Sequence, residues 1–269
     1  MISAQFEYVA PKSLDELHQL LSNETDKAIL SGGYSLIALL KAEKLSPSLL
    51  ISVDNISTLT GINSQPGDRL TIGSATRLSD VADHQLIQQR YPAIIEAISL
   101  IGDRQYCNQT TIGDEYSYGR FSMGLLAVLL AYGATFNYSN EHSKRALSEP
   151  LGPQQKLILT TIELPSLSGF SSLQLVKNPA SSLPTCGIAS YLEFDEDTVK
   201  EARFSVCGQG LVVKRLPAIE AAIIGHLRSA ALPASLFSSM VQEDDSGVSK
   251  EYLAHLSHLF VSKALHQKL

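Results

Sequence analysis

The chain has 269 residues, 44% of them hydrophobic and 18% charged, with a formal net charge of −6 at pH 7 and a sequence pI near 5.6. That balance excludes a disordered chain, and it argues against a nucleic-acid or anionic-membrane partner, since basic residues adjoin only at Lys144-Arg145 and Lys214-Arg215. The three cysteines, Cys107, Cys186 and Cys207, are odd in number and lack C-x-x-C spacing, so they encode neither a disulfide framework nor an iron–sulfur or zinc site and point to a reducing cytoplasm.

A chain of this length buries a substantial core, in two domains or one domain with clear lobes. Its start lacks a basic leader with an apolar stretch, and its longest apolar run, 125–132, is too short to cross a bilayer. Ser13 with Glu16 forms a capping box, and Leu14, Leu17, Leu20 and Leu21 follow at helical spacing. A strand is expected over 27–31, then the tight turn Gly32-Gly33, then a helix over 36–41 opening directly from it. Strands are expected at 49–53 and 70–72, helices at 79–88 and 91–100, and a polar, irregular stretch at 103–118 before a helix over 122–132. That polar stretch between two helices is a candidate site loop.

After residue 150, strand-like runs at 157–164, 173–177, 188–194 and 199–206 predict an antiparallel sheet. Asp195-Glu196-Asp197 turns the last two runs into a hairpin, and helices over 217–224 and 250–265 cover one face.

Ser31-Gly32-Gly33-Tyr34-Ser35 lies where a strand becomes a helix, so its backbone N–H groups and the helix N-terminus together suit a phosphate; a plain structural turn is the alternative. Thr110-Thr111-Ile112-Gly113 offers hydroxyls and exposed backbone to the other side of a pyrophosphate. The scattered histidines, including His255 and His258 at i, i+3, form no metal set, and no nucleophile or acid–base pair is assigned.

The order of segments resembles the FAD-binding medium subunits of carbon monoxide dehydrogenase and xanthine dehydrogenase-like molybdenum hydroxylases. Ser31-Gly32-Gly33-Tyr34-Ser35-Leu36-Ile37 is similar to the family's A-G-G-x-S-L-I. The run Ile101-Gly102-Asp103-Arg104-Gln105, continuing through Asn108 to Thr111-Ile112-Gly113, is similar to G-D-x-Q-x-R-N-x-G-T-I-G-G. Further likeness lies at 125–134 and in Glu251-Tyr252-Leu253 through Lys263-Ala264-Leu265.

The resemblance implies an α+β fold: a PCMH-type FAD-binding domain over 1–165, made of two α+β subdomains (about 1–55 and 56–165) with FAD between them, then a C-terminal domain over 170–269 with a three-stranded antiparallel sheet and a helical bundle. It also implies FAD as cofactor, no catalytic side chain, and separate iron–sulfur and molybdopterin subunits as partners, from which electrons pass through FAD to an external acceptor. Carried across, Leu30, Ser31, Gly32, Gly33, Tyr34, Ser35 and Leu36 would wrap the pyrophosphate and ribityl region, and Ile101 would sit by the isoalloxazine ring. Thr110, Thr111 and Gly113 would close on the phosphates, with Asp114 and Ser117 following, and Lys177 would fill a basic slot near the ring.

The chain departs from the pattern in one place. Asp114 and Glu115 replace a glycine and an asparagine, and Gly119-Arg120-Phe121-Ser122-Met123-Gly124 replaces A-D-P-x-x-D. These exchanges set two acids beside a dianionic pyrophosphate, with Arg120 as a candidate counter-charge and Tyr116 and Tyr118 as candidate stacking or packing residues. Two readings stay open: a flavoprotein electron-transfer subunit, or a degenerate homologue with weak or no FAD that serves as a binding or scaffold subunit.

Overall fold

The computed structural model describes residues 5–22, 26–118, 123–140, 144–147, 157–178, 183–208, 211–230, 232–238 and 248–266. In chain order the elements are β1 (Glu7–Val9), α1 (Leu14–Ser22), β2 (Lys27–Leu30), α2 (Tyr34–Lys41), β3 (Leu49–Ser52), β4 (Ile62–Gln65), β5 (Arg69–Gly73), α3 (Leu78–Asp83), α4 (Gln85–Arg90), α5 (Pro92–Ile101), α6 (Arg104–Gln109), α7 (Ile112–Tyr118) and α8 (Met123–Tyr132). There follow β6 (Thr135–Ser139), β7 (Lys144–Leu147), β8 (Ile158–Leu164), β9 (Phe170–Lys177), β10 (Pro184–Asp195), β11 (Thr198–Cys207), β12 (Lys214–Arg215), α9 (Pro217–Ile223), α10 (Ser235–Ser238) and α11 (Lys250–Leu265). Contacts divide them into two compact units: Met1–Gln85, Gly102–Arg120 and Ala134–Ser166 form the first, and Leu86–Ile101, Phe121–Gly133 and Leu167–Leu269 the second.

The first unit holds two sheets. One is parallel, in the order β1-β3-β2, and the other has the order β4-β5-β8-β6-β7 with every pairing antiparallel. All four residues of the central strand β3 are buried, as expected of a parallel strand covered on both faces. Leu49, Ile51 and Val53 join Leu17, Leu59 and Ile158 in one cluster, while Leu50 packs with Ala28, Leu36 and Leu40 in another. The start of α1 follows the sequence reading: Ser13 Oγ accepts the Glu16 N–H at 3.2 Å, and the Glu16 carboxylate accepts the Lys12 N–H at 2.7 Å.

The second unit is built on an antiparallel sheet in the order β12-β11-β10-β9. Ile188, Leu192 and Phe204 join Ile219, Leu253, Phe260 and Val261 in one core beneath α9 and α11. The alternate residues Ala189 and Tyr191 are buried too, and Tyr191 meets Tyr132 of α8 with ring centroids 6.4 Å apart. α8 is apolar around its whole circumference and buried along nearly all its length, which an amphipathic surface helix would not be.

Three expectations are corrected. The polar stretch after Gly102 is not irregular. It forms α6 and α7, each opened by a side-chain cap: Asp103 Oδ1 accepts the Tyr106 N–H at 2.8 Å, and Thr111 Oγ1 accepts the Asp114 N–H at 3.1 Å. The helix expected over 79–88 is two short helices, because His84 takes an extended ψ of 120°. The sheet after residue 165 has a short fourth strand, β12, while the run at 157–164 supplies β8 to the five-stranded sheet of the first unit.

Candidate functional site

The glycine turn and the polar loop meet inside the first unit. Gly32 and Gly33 have φ of +67° and +98°, a left-handed region that side chains resist, and they let the chain reverse from β2 into α2. A Cβ on Gly32 would stand 2.1 Å from the Gln109 carbonyl oxygen, so the absent side chain is what lets the α6–α7 connection lie against the turn. Ser31 Oγ and Thr111 Oγ1 are 2.8 Å apart, and the Thr111 hydroxyl is also 3.2 Å from the Ser31 carbonyl oxygen. The Gly32 N–H donates to Asp54 Oδ1 at 3.0 Å, and the Gly33 N–H to the Ser31 carbonyl at 2.7 Å.

α2 begins here, and the first turn of any α-helix leaves N–H groups without intrahelical partners and carries partial positive charge. An anion does lie there. Asp114, on the first turn of α7, is 2% exposed, and its Oδ2 accepts the Ser35 N–H at 3.1 Å. Burial raises its pKa, while the neighbouring Ser35 N–H, Ser35 hydroxyl and Leu36 N–H lower it; burial wins and the pKa stands at about 6. Among the described residues no ion pair is made to it, and Asp54 adds a second negative charge nearby.

Glu115 is 1% exposed and accepts from the Tyr106 hydroxyl. Burial, and then the Glu115 carboxylate, push the Tyr106 phenol far above its ordinary range, so it stays a donor. Its ring stacks edge-on against Tyr34 with centroids 4.4 Å apart, and Tyr34 is 48% exposed. Burial likewise pushes the Cys107 thiol up, away from the reactive thiolate.

The second motif spends backbone donors on the protein. The N–H groups of Ile112 and Gly113 go to the carbonyls of Thr76 and Ser74 at 2.9 and 2.8 Å, and Thr110 hands its carbonyl to the Leu78 N–H at 2.9 Å. A Cβ on Gly113 would meet the Ser74 carbonyl oxygen at 2.7 Å, so this glycine serves close packing. Leu36 is fully buried with Leu30 packed against its cluster, and Ser117 is half-buried on α7. Tyr116 takes its packing reading: its hydroxyl is 2.7 Å from that of Tyr138 and its ring stacks on Phe136. The Tyr118 side chain and Arg120 lie outside the described residues.

The remaining two candidates belong to the second unit. Ile101 ends α5, buried, and Lys177 at the end of β9 donates from Nζ to the Leu100 carbonyl at 2.5 Å. Asp54, Asp103 and Tyr106 were missed as contributors to the cluster. Asp103 carried a legible signal, since Asp is a preferred N-cap residue, but nothing local linked Asp54 or Tyr106 to the turn.

The FAD implied by the sequence motifs can be tested against this cluster. A pyrophosphate at the start of α2 needs the N–H groups of Ser35 and Leu36, and an N–H cannot serve two anions fully at once. Asp114 already takes the Ser35 N–H, and Ile112 and Gly113 have no N–H to spare. As arranged, the turn fits an anion, but the anion it holds is the chain's own carboxylate.

Comparison with known proteins places the chain firmly. Residues 4–166 match the model of the FAD binding domain in molybdopterin dehydrogenase. The chain is 29% identical over 217 residues to the carbon monoxide dehydrogenase medium chain of Hydrogenophaga pseudoflava, covering 77% of this chain and 75% of that one. It is 26% identical to the glyceraldehyde dehydrogenase medium chain of Sulfolobus acidocaldarius, over 84% of this chain and 83% of that one. In three dimensions it is similar to a chain of the Hydrogenophaga pseudoflava carbon monoxide dehydrogenase, with a TM-score of 0.85, 25% identity, and coverage of 98% of this chain and 96% of that one. The glycine turn, the loop that closes on it and the match across 4–166 together make this chain a member of the family of FAD binding domains of molybdopterin dehydrogenases.

Proposed function

We propose that the chain fills the medium-subunit place in a heteromeric oxidoreductase of the molybdenum-hydroxylase type, docked to an iron–sulfur subunit and a molybdopterin subunit, and that it does so as a scaffold with weak or no FAD. The subunit place is supported by the family match and by relatives that are themselves medium chains. The weak flavin is supported by one observation: Asp114 Oδ2 sits on the Ser35 N–H at the start of α2, where a phosphate would be bound.

A second reading keeps FAD as an electron carrier between the iron–sulfur clusters and an external acceptor. It is favoured by the retained turn, with Gly32 and Gly33 both at positive φ, and by the family itself. FAD would then supply all the redox chemistry, and side chains would only bind and orient it. The sequence division near residue 165, the roles of Ile101 and Lys177 toward a flavin ring, and that of Ser117 toward the cofactor belong to this reading.

Co-expression with the products of adjacent open reading frames, followed by purification on this chain and measurement of iron, molybdenum and flavin, tests both. Iron and molybdenum with far less than one flavin per chain is the expected result. One flavin per chain would select the electron carrier, and failure to recover any iron–sulfur partner would remove the subunit role.

A further inference from the structure

We infer that the Asp114 carboxylate is a built-in substitute for a dinucleotide pyrophosphate: it holds the anion position at the N-terminus of α2, and its removal alone reopens that position to phosphate ligands.

The inference rests on the scaffold reading above and names its physical cause. α2 is eight residues long and opens from two glycines, and the α6–α7 connection packs where a Cβ on Gly32 would stand. Helix N-termini of this kind favour any anion that reaches them. Asp114 reaches this one from 79 residues away along the chain, delivered by the helix that Thr111 caps. The delivery is tightly set: the Thr111 hydroxyl bridges to Ser31 on the turn and to the Asp114 N–H on α7, so the two motifs are tied at the point where the carboxylate crosses.

A buried carboxylate bonded only by neutral donors is an expensive arrangement unless it answers a need. The need here is the start of α2, whose Ser35 N–H finds its acceptor in Asp114. A ligand phosphate meets the same need. With Asp114 in place the ligand must both evict it from its donors and tolerate its charge, together with that of Asp54 on the Gly32 N–H. Glu115, by contrast, is turned to the Tyr106 hydroxyl.

The test uses the full chain as wild type, Asp114→Ala and Asp114→Gly. Alanine is the best helix former and is the first choice; glycine is the residue of the family pattern. FAD binding is followed by quenching of flavin fluorescence, and phosphate binding by the shift in unfolding temperature with inorganic pyrophosphate. Wild type is expected to show neither, whereas at least one folded variant binds FAD ten-fold or more tightly than wild type and is stabilised by pyrophosphate. Folded variants that bind no better than a colourless wild type would overturn the inference and leave the scaffold reading intact. A wild type that purifies with one FAD per chain would overturn both.

Discussion

Glu220 of the second compact unit and Asp114 of the first are both buried carboxylates, and the two are treated in opposite ways. Glu220 on α9 accepts the Phe204 N–H at 2.9 Å and receives both arms of the Arg215 guanidinium at 2.7 Å, a charge matched by a charge. Asp114 on α7 is buried as deeply, yet its Oδ2 is met by the Ser35 N–H, and among the described residues no cation pairs with it. The first arrangement is complete and structural, since a two-pronged guanidinium satisfies both carboxylate oxygens. The second occupies a place that a ligand anion occupies in many other folds. Burial depth alone therefore does not mark a functional position; the kind of partner does.

The largest expected effect lies in the paired case. Glu220→Ala should strand a half-buried guanidinium and a buried Phe204 N–H, at a cost of about 4 kcal/mol in urea unfolding, because removing one member of a paired set leaves the other uncompensated. A loss below a quarter of that would place the pair among exposed ion pairs and dissolve the contrast with Asp114.

Gly32→Ala comes next. Its Cβ would strike the Gln109 carbonyl oxygen and would need a φ of +67°, so a loss of roughly 3 kcal/mol is expected from backbone strain and steric clash together. Gly33→Ala meets the mobile end of Leu30 instead and should cost less. Equal unfolding temperatures for the two variants would show that the α6–α7 connection yields easily.

The smallest effect is the one that depends on pH. Asp114 has its pKa raised from 3.8 to about 6 on folding, so the folded state binds its proton more tightly than the unfolded state does. Stability from this group is therefore fully present below pH 3.8 and is lost as pH rises towards 6. Asp114→Asn keeps an acceptor without the charge. It should match wild type near pH 3.5 and exceed it by about 2 kcal/mol at pH 8, part of the roughly 3 kcal/mol that the full pKa difference represents. A variant less stable than wild type at pH 8 would mean that the carboxylate is held by a cation after all.

Much of the fold was legible because its signals are local. The capping box at Ser13, the hairpin through Asp195-Glu196-Asp197 and the helix of 250–265 all follow from neighbours within a few residues. The helices α6 and α7 were overlooked although each carries a cap, because their polar interiors lack the apolar periodicity by which helices are usually found. β1, β4, β6 and β7 are short and owe their existence to partners: β1 pairs with β3 across some forty residues, and no residue of β1 is fully buried.

The sequence by itself determined the family, the glycine turn, the presence of two acids where the family pattern has none, and the alternation of helix and strand, since all of these are properties of residue type and spacing. Only the tertiary structure decided what the acids do. Whether Asp114 repels a ligand, pairs with a cation or caps a helix depends on which donors it meets and how much water it loses, and both were set by a contact 79 residues distant in the chain. It separated Asp114 from its neighbour Glu115 in the same way, turning one to the start of α2 and the other to the Tyr106 hydroxyl, because successive residues on a helix point about 100° apart.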